Sequence, residues 1–217
     1  IVREKSNINT ITEKIGIFGG SFDPIHYGHI KPIINVQNKH QLQKIYFIPI
    51  SKHNFDKKII ASPQQRIKML ELSLEQESHI IDDREIIREG TSYTYDTIKS
   101  IKGSNKNALL YLIIGFDNLY SFHNWHKYKK ILEECNIIVM KRNQKEHSLS
   151  IDLSLSKHMT SNRSIFSNVS CGKIFIEDTF EIEISSSDIR RKLRNKETIE
   201  ELVHPELSKW LSSNYIY

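Results

Sequence analysis

Short apolar runs alternate with amphipathic stretches along the chain, and this alternation limits the fold more than any other feature. The runs are four to eight residues long and rich in Ile, Leu and Phe, which is typical of strands rather than helices. Strands are expected at 15–18, 44–50, 79–82, 108–115, 136–141 and 173–177. Because nearly every position in these runs is apolar, both faces of the sheet should be covered, as in parallel sheets.

The stretches between the runs carry helix-start signals. Ser62 precedes Pro63, and Gln65 completes a capping box, so a helix is expected to begin there. Further helices are expected at 27–39, 93–102, 127–134, 187–194 and 205–213. Strands and helices that alternate in this way predict an α/β protein with a Rossmann-like, doubly wound, mainly parallel sheet and flanking helices.

The length of the chain favours one domain. A chain of 217 residues can form a single domain with a deep ligand cleft without help from disulfides. Residues 143–170 are polar and serine-rich, and they are expected to form a flexible surface loop or a partly helical insertion. We interpret residues 1–217 as one domain in which 1–13 form an N-terminal extension.

Charge and cysteine content indicate the kind of partner and the cellular compartment to expect. Lys and Arg number 31 against 26 Asp and Glu, and the net charge of +5 favours anionic partners without choosing among them. The basic stretch "RRKLRNK" is more typical of a solvated helix face than of a nucleic-acid tail. Cys135 and Cys171 form neither a disulfide framework nor a CxxC pair. With no apolar run of about 20 residues, a cytoplasmic location without a membrane partner is expected.

The first strand runs directly into the turn "GGSFDPIHYGH" and then into a helix. Backbone N–H groups and the positive end of a helix meet there, at the carboxyl edge of the sheet, so the turn predicts an anion site. Gly19 and Gly20 would let a phosphate approach the main chain, and Gly28 would keep a side chain out of its way. His26 and His29, at i and i+3, would face the same anion. Taken alone, the two histidines are also compatible with half of a metal site or with structural histidines.

A second phosphate-binding element is expected in "ISSSDIRRKL", far downstream. Ser185 and Ser186 would cap a helix whose first turn carries Arg190, so hydroxyls, free N–H groups and a guanidinium would converge. Together with the first turn, this element would form a clamp for a polyphosphate chain.

These two motifs resemble those of the HxGH nucleotidyltransferase superfamily, and most closely those of bacterial-type nicotinate-nucleotide adenylyltransferases. The HxGH signature is His26-Tyr27-Gly28-His29, and the distal ISSTxIR-type motif spans 184–190. Further matching stretches are "DDREIIREGTSYTYDTI", "LIIGFDNLYSFHNWHKY" and "IIVMKR". The resemblance covers 14–142 and 172–213.

The resemblance implies adenylyl transfer from ATP to nicotinic acid mononucleotide, which gives nicotinic acid adenine dinucleotide and pyrophosphate in NAD biosynthesis. Mg²⁺ would enter with the ATP phosphates rather than through identified protein ligands. The residue types of the two motifs agree with this reaction, because the attacking 5′-phosphate is already an anion at neutral pH and needs no general base. Positioning and charge neutralisation would then supply most of the catalysis. No nucleic-acid partner is expected, and the protein would be a monomer or a homodimer.

The resemblance also implies roles for individual residues. Those implied as catalytic are His26, His29 and Arg190. Those implied for ATP are Gly19, Gly20, Ser21, Phe22, His26, His29, His53, Gly115, Asp117, Ile184, Ser185, Ser186 and Arg190. Those implied for the mononucleotide are Gly20, Ser21, Tyr93, Thr94, Asp117, Trp125 and Arg142. An indole such as that of Trp125 is suited to stack on a pyridine ring.

Other readings stay open at this point. Within the superfamily, the acceptor could be nicotinamide mononucleotide, phosphopantetheine, or a choline-like phosphate with CTP. "TSYT" and "NWHKY" speak against the last two. A fragment of a class I aminoacyl-tRNA synthetase is disfavoured, because 217 residues leave too little room for tRNA-binding domains and the sequence has no KMSKS-like loop. A non-catalytic basic module that binds nucleotides or RNA would need aromatics interleaved with Lys and Arg on one face, and the sequence has no clear stripe of this kind.

Overall fold

A six-stranded, wholly parallel sheet forms the centre of the fold. The computed structural model describes residues 12–51, 59–141, 151–179 and 182–217. The strands are β1 (Lys14–Gly20), β2 (Lys44–Pro49), β3 (His79–Ile81), β4 (Leu109–Gly115), β5 (Asn136–Lys141) and β6 (Ile174–Asp178), in the order β3-β2-β1-β4-β5-β6. All six coincide with predicted strands, and the doubly wound parallel sheet is confirmed.

Helices connect the strands. They are α1 (Tyr27–His40), α2 (Pro63–Glu71), α3 (Arg84–Ile87), α4 (Thr94–Ser104), α5 (Phe116–Ser121), α6 (Tyr128–Glu134), α7 (Leu153–Ser156), α8 (Arg163–Asn168), α9 (Ser186–Arg194) and α10 (Pro205–Asn214). The capping box of Ser62 and Gln65 is formed at the start of α2. The described part of the serine-rich stretch contains α7 and α8. Among the described residues, no helix has the length and apolarity needed to cross a bilayer.

Apolar side chains cover both faces of the sheet. Neighbouring residues of β1 point to opposite faces, so Phe18 belongs to one core and Ile17 to the other. Helices α1, α2, α8, α9 and α10 pack on the face of Phe18, whereas α4, α5, α6 and α7 pack on the face of Ile17. This two-sided burial explains why the strands are almost continuously apolar in sequence.

The order of the strands creates a crevice at the carboxyl edge of the sheet. β1 lies between β2 and β4, and the chain continues to opposite faces of the sheet after β1 and β4. Phe18 pairs with Ile113, so the strand ends at Gly20 and Gly115 lie side by side. Ligands of open α/β sheets bind at such a switch point.

Glu177 in β6 joins three elements beneath the sheet edge. It is 2% exposed, and its carboxylate accepts hydrogen bonds from Lys39 Nζ at 2.8 Å and Arg163 Nη2 at 2.8 Å, with His40 Nε2 at 2.9 Å. Burial raises the pKa of Glu177, but the hydrogen bonds from its three partners outweigh burial and hold this pKa below its usual value. Burial lowers the pKa of His40 despite the opposing effect of Glu177. The cluster fastens α8 to the end of α1.

Replacing Glu177 with glutamine is expected to reduce the free energy of unfolding at pH 7 by about 2 kcal/mol. Glutamine keeps one acceptor oxygen but removes the negative charge that Lys39, Arg163 and His40 share, and the loss is moderated because Lys39 and Arg163 are partly exposed and can be rehydrated. Urea unfolding followed by circular dichroism measures this difference.

The pH dependence of the free energy of unfolding provides a second test of the role of Glu177. Both Glu177 and His40 have a lower pKa in the folded chain than their ordinary values of 4.5 and 6.5. Their contributions are therefore present at neutral pH and are lost on acidification, first below the ordinary His40 value and then below that of Glu177. Glu177→Gln should lack the second loss. Parallel stability curves for the two proteins below pH 4.5 would contradict the assigned role.

Candidate active site

The turn after β1 is shaped by Phe22, which points into the protein. Phe22 has φ 48, a left-handed conformation that is uncommon outside glycine. Its ring is fully buried and packs edge-on to Phe18 and His29, with centroids 5.7 Å away in each case. A Cβ on Gly20 would lie 2.9 Å from this ring, so a side chain at Gly20 would displace it. The ring therefore supports the turn from beneath, and a role of Phe22 in ATP binding stays a prediction.

The two histidines of the turn lie against each other. His26 precedes α1 and is 2% exposed, and its carbonyl accepts hydrogen bonds from the backbone N–H of His29 at 2.8 Å and of Ile30 at 3.2 Å. The ring centroids of His26 and His29 are 3.8 Å apart, with an angle of 37° between the planes. His29 is partly exposed. His29 can therefore present an imidazole nitrogen to an anion at the start of a helix, with His26 packed against it.

Gly28 is required for a different reason from the one expected. A Cβ at this position would lie 2.9 Å from Nδ1 of His26 and 3.2 Å from the carbonyl oxygen of Ile184. The space that glycine leaves is thus occupied by protein and not by a ligand. Gly28 allows the distal motif to approach the histidine turn closely.

The distal motif reaches the turn through α9. Ser185 caps this helix, with Oγ accepting a hydrogen bond from the N–H of Asp188 at 3.0 Å. Ser186 Oγ donates to the carbonyl of Pro24 at 2.9 Å, and Arg190 Nη1 donates to the carbonyl of Asp23 at 2.6 Å. Arg190 is 9% exposed. The predicted association of the two motifs is present, and in this structure Ser186 and Arg190 hydrogen-bond to the turn itself.

Asp23 is the centre of a polar cluster that sequence reasoning missed. Its carboxylate accepts hydrogen bonds from the N–H groups of Ile60 at 2.8 Å and Ala61 at 3.0 Å and from the hydroxyl of Tyr217 at 2.8 Å. Nη1 of Arg190 lies 3.7 Å from the same carboxylate. Asp23 is 2% exposed, so this cluster lies under the turn and fixes it to three other parts of the chain.

Arg66 also supports the turn and was not predicted. It is 1% exposed, and Nη1 donates to the carbonyl of Ser21 at 2.9 Å. Burial lowers its pKa, against the opposing charge of Asp23. Nε of Arg66 has no hydrogen-bond partner within the described parts of the chain. Its position in the amphipathic helix α2 gave no signal of burial, because arginine in such a helix usually faces solvent.

The strand end at Gly115 leads into the second half of the crevice. Gly115 precedes α5, whose first turn carries the exposed carboxylate of Asp117. Trp125 follows a short 3-10 turn and is half-buried against Phe122, with ring centroids 5.4 Å apart. Its Nε1 has no partner in the described ranges. Gly115 and Asp117 therefore lie at the carboxyl end of β4, and Trp125 follows in the same connection between β4 and β5.

The loop before α4 is held by its own polar network. Tyr93 precedes α4, and its ring stacks on His126 with centroids 4.2 Å apart. Behind it, Arg88 donates to Thr97 Oγ1 at 3.3 Å, and Thr97 donates to Glu85 at 2.7 Å. Burial raises the pKa of Glu85, against the hydrogen bond from Thr97. The network orders the backbone on which Thr94 begins α4.

Two predicted site residues, His53 and Arg142, lie outside the described residues. Their roles remain predictions. Among the described residues there is no group of three His, Cys, Asp or Glu side chains arranged to hold a metal ion.

A doubly wound sheet with a histidine turn at its switch point and a second capped helix against that turn defines a nucleotide-binding α/β enzyme of the nucleotidyltransferase class. The sequence comparison agrees, because the cytidylyltransferase-like family matches residues 17–192.

Individual relatives narrow the assignment. A probable nicotinate-nucleotide adenylyltransferase of Psychromonas ingrahamii is 32% identical, over 94% of this chain and 97% of its own. One of the same name from Pseudoalteromonas atlantica is 30% identical, over 97% of each chain. The chain therefore belongs to the cytidylyltransferase-like family and, within it, to the nicotinate-nucleotide adenylyltransferases.

A solved structure shares the fold. Nicotinic acid mononucleotide adenylyltransferase of Plasmodium falciparum, in complex with NaAD, superposes with a TM-score of 0.67 at 23% identity and covers 92% of this chain and 94% of its own. At that identity the likeness concerns the fold, which the strand order had already established.

Proposed function

We propose that the chain transfers the adenylyl group of ATP to nicotinic acid mononucleotide, with release of pyrophosphate. The observation that carries this proposal is the contact between the two phosphate-binding motifs. The rings of His26 and His29 are in contact at the start of α1, and α9 is hydrogen-bonded to the same turn through Ser186 and Arg190. The names of the relatives support the choice of nucleotide and acceptor.

The reaction requires a phosphate oxygen of the mononucleotide to attack the α-phosphorus of ATP while the bond to pyrophosphate breaks. The attacking phosphate is anionic at neutral pH, so no proton must be removed. Negative charge grows on the departing pyrophosphate, and donors fixed in place before the reaction stabilise it best. We assign this role to His29, with His26 and the N–H groups of the turn on the same phosphates. Arg190 and Ser185 would approach from α9.

The acceptor would occupy the half of the crevice near β4. Trp125 offers an indole face to a pyridine ring. The main chain and hydroxyls at Tyr93 and Thr94 offer donors to the carboxylate that distinguishes the acid from the amide. Asp117, exposed at the first turn of α5, can accept hydrogen bonds from a ribose hydroxyl. His53 and Arg142 complete the proposed set.

Mg²⁺ fits this site as a companion of ATP. The ion keeps several waters and usually takes one or two carboxylates together with substrate phosphates. Asp117 is the exposed carboxylate available beside β4, which suits an ion held chiefly by phosphate oxygens and water. When bound, Mg²⁺ would neutralise part of the polyphosphate charge. A monomeric or homodimeric assembly and a cytoplasmic location stay predictions.

Pyrophosphate release tests the proposed function. The protein is incubated with ATP and Mg²⁺, and either nicotinic acid mononucleotide, nicotinamide mononucleotide or no acceptor is added. Release should require an acceptor and should be faster with the acid than with the amide. Faster release with nicotinamide mononucleotide would show that the amide, and not the acid, is the preferred acceptor. A folded protein that releases no pyrophosphate with either acceptor would contradict the proposed function.

A further inference from the structure

We propose that Tyr217 is a positioning residue for adenylyl transfer, because its hydroxyl fixes the carboxylate of Asp23 and thereby the turn that carries the two histidines. This inference rests on the proposed function. Tyr217 lies beyond α10, 194 residues from Asp23 in sequence, yet its hydroxyl donates to Oδ1 of Asp23 at 2.8 Å. No motif of the nucleotide turn includes it.

The path of the chain after α10 brings Tyr217 under the turn. Tyr215 ends α10 in a left-handed conformation, with φ 48 and ψ 44. Tyr215 itself is 88% exposed, whereas the ring of Tyr217 packs against the core that includes Phe18 and Phe22. Its hydroxyl also lies 3.6 Å from Sδ of Met69 in α2. The phenol is therefore embedded between α2 and the nucleotide turn.

The surroundings keep the Tyr217 hydroxyl a donor. Burial raises the pKa of Tyr217, and the adjacent Asp23 carboxylate raises it further, against the opposing charges of Arg190 and Arg66. The phenol is consequently protonated throughout the neutral range. Asp23 Oδ1 receives this proton donor together with the N–H of Ala61 at 3.0 Å, so the Tyr217 hydroxyl supplies one of the two hydrogen bonds that orient this oxygen.

The orientation of Asp23 matters to the site because its main-chain carbonyl and its carboxylate both lie near Arg190. Its carbonyl accepts from Arg190 Nη1 at 2.6 Å, while its Oδ2 lies 3.7 Å from the same nitrogen. Without the Tyr217 hydroxyl, the carboxylate can rotate toward Arg190 and compete with the carbonyl for the guanidinium. That competition would move the main chain just before His26. Displacements of about 1 Å in a positioned group can cost about 100-fold in rate.

The matched test compares Tyr217→Phe with Tyr215→Phe. Each variant loses one phenolic oxygen, but Tyr215 is exposed. Steady-state pyrophosphate release at 25 °C should show kcat reduced about 10- to 100-fold for Tyr217→Phe, with the KM for ATP changed less than about threefold. Tyr215→Phe should match the wild type. Thermal unfolding of both variants checks that they are folded at the assay temperature.

A double-mutant cycle with Asp23→Asn separates positioning from general stability. If Tyr217 acts through Asp23, the variant with both substitutions should have the kcat of Asp23→Asn alone, within about twofold. Losses that multiply would overturn the role, and so would a Tyr217→Phe enzyme with a lower melting temperature but a wild-type kcat. If Tyr217→Phe is unfolded at 25 °C, the kcat of Asp23→Asn is compared with that of the wild type instead, and equal values overturn the role of Tyr217.

The wild-type protein distinguishes this proposal from the proposed function. If the wild type releases no pyrophosphate, the proposed function is overturned as well, whereas with an active wild type a negative result concerns Tyr217 alone.

Discussion

Replacing His29 with alanine is expected to reduce kcat about 1,000-fold and to leave the KM for ATP within about threefold of the wild type. His29 is the partly exposed member of the histidine pair, 3.8 Å from the ring of His26 at the start of α1. Its interaction strengthens as charge moves onto the departing pyrophosphate, so the loss falls on the transition state rather than on bound ATP. Steady-state release of pyrophosphate, with ATP varied at saturating mononucleotide, measures both parameters.

His158→Ala is the control for a histidine outside the site. His158 Nδ1 lies 2.7 Å from the carbonyl of Gly172, near β6, so its loss should affect stability and leave kcat unchanged. His29→Asn, which keeps a donor of similar reach, should recover part of the lost activity. A fall in kcat of less than about tenfold for His29→Ala would remove His29 from the charge-stabilising role.

The architecture could be predicted because its signals are local. Each strand is a short apolar run, and α2 begins with Ser62, Pro63 and Gln65, which fix its start within four residues of sequence. The helices that were not predicted, such as α3 (Arg84–Ile87) and α5 (Phe116–Ser121), have one or two turns. Such short helices contain too few residues to show a helical period.

The residues that support the site from beneath could not be predicted in the same way. The role of Arg66 depends on burial against the carbonyl of Ser21, and Tyr217 meets Asp23 across 194 residues of sequence. Neither contact leaves a periodic or capping signal. Gly28 was recognised as part of the motif, but its physical reason was assigned to the ligand. The structure shows that its missing side chain lets the distal motif approach the turn.

Arg190→Met is expected to lower kcat/KM for ATP about 100- to 1,000-fold, partly through a higher KM. The variant loses the donor to the Asp23 carbonyl, and under the proposed function it also loses a cation beside the triphosphate. Arg190→Lys should recover only part of the activity, because one ammonium group cannot hold the carbonyl and a phosphate with the fork geometry of guanidinium.

Arg191→Met is the matched control, since the neighbouring Arg191 is exposed and its partners are Asp188 and Glu197. Steady-state kinetics at several ATP concentrations, with thermal unfolding of each variant, distinguish the outcomes. If Arg190→Met loses no more activity than Arg191→Met, α9 contributes its caps and not its guanidinium to the site.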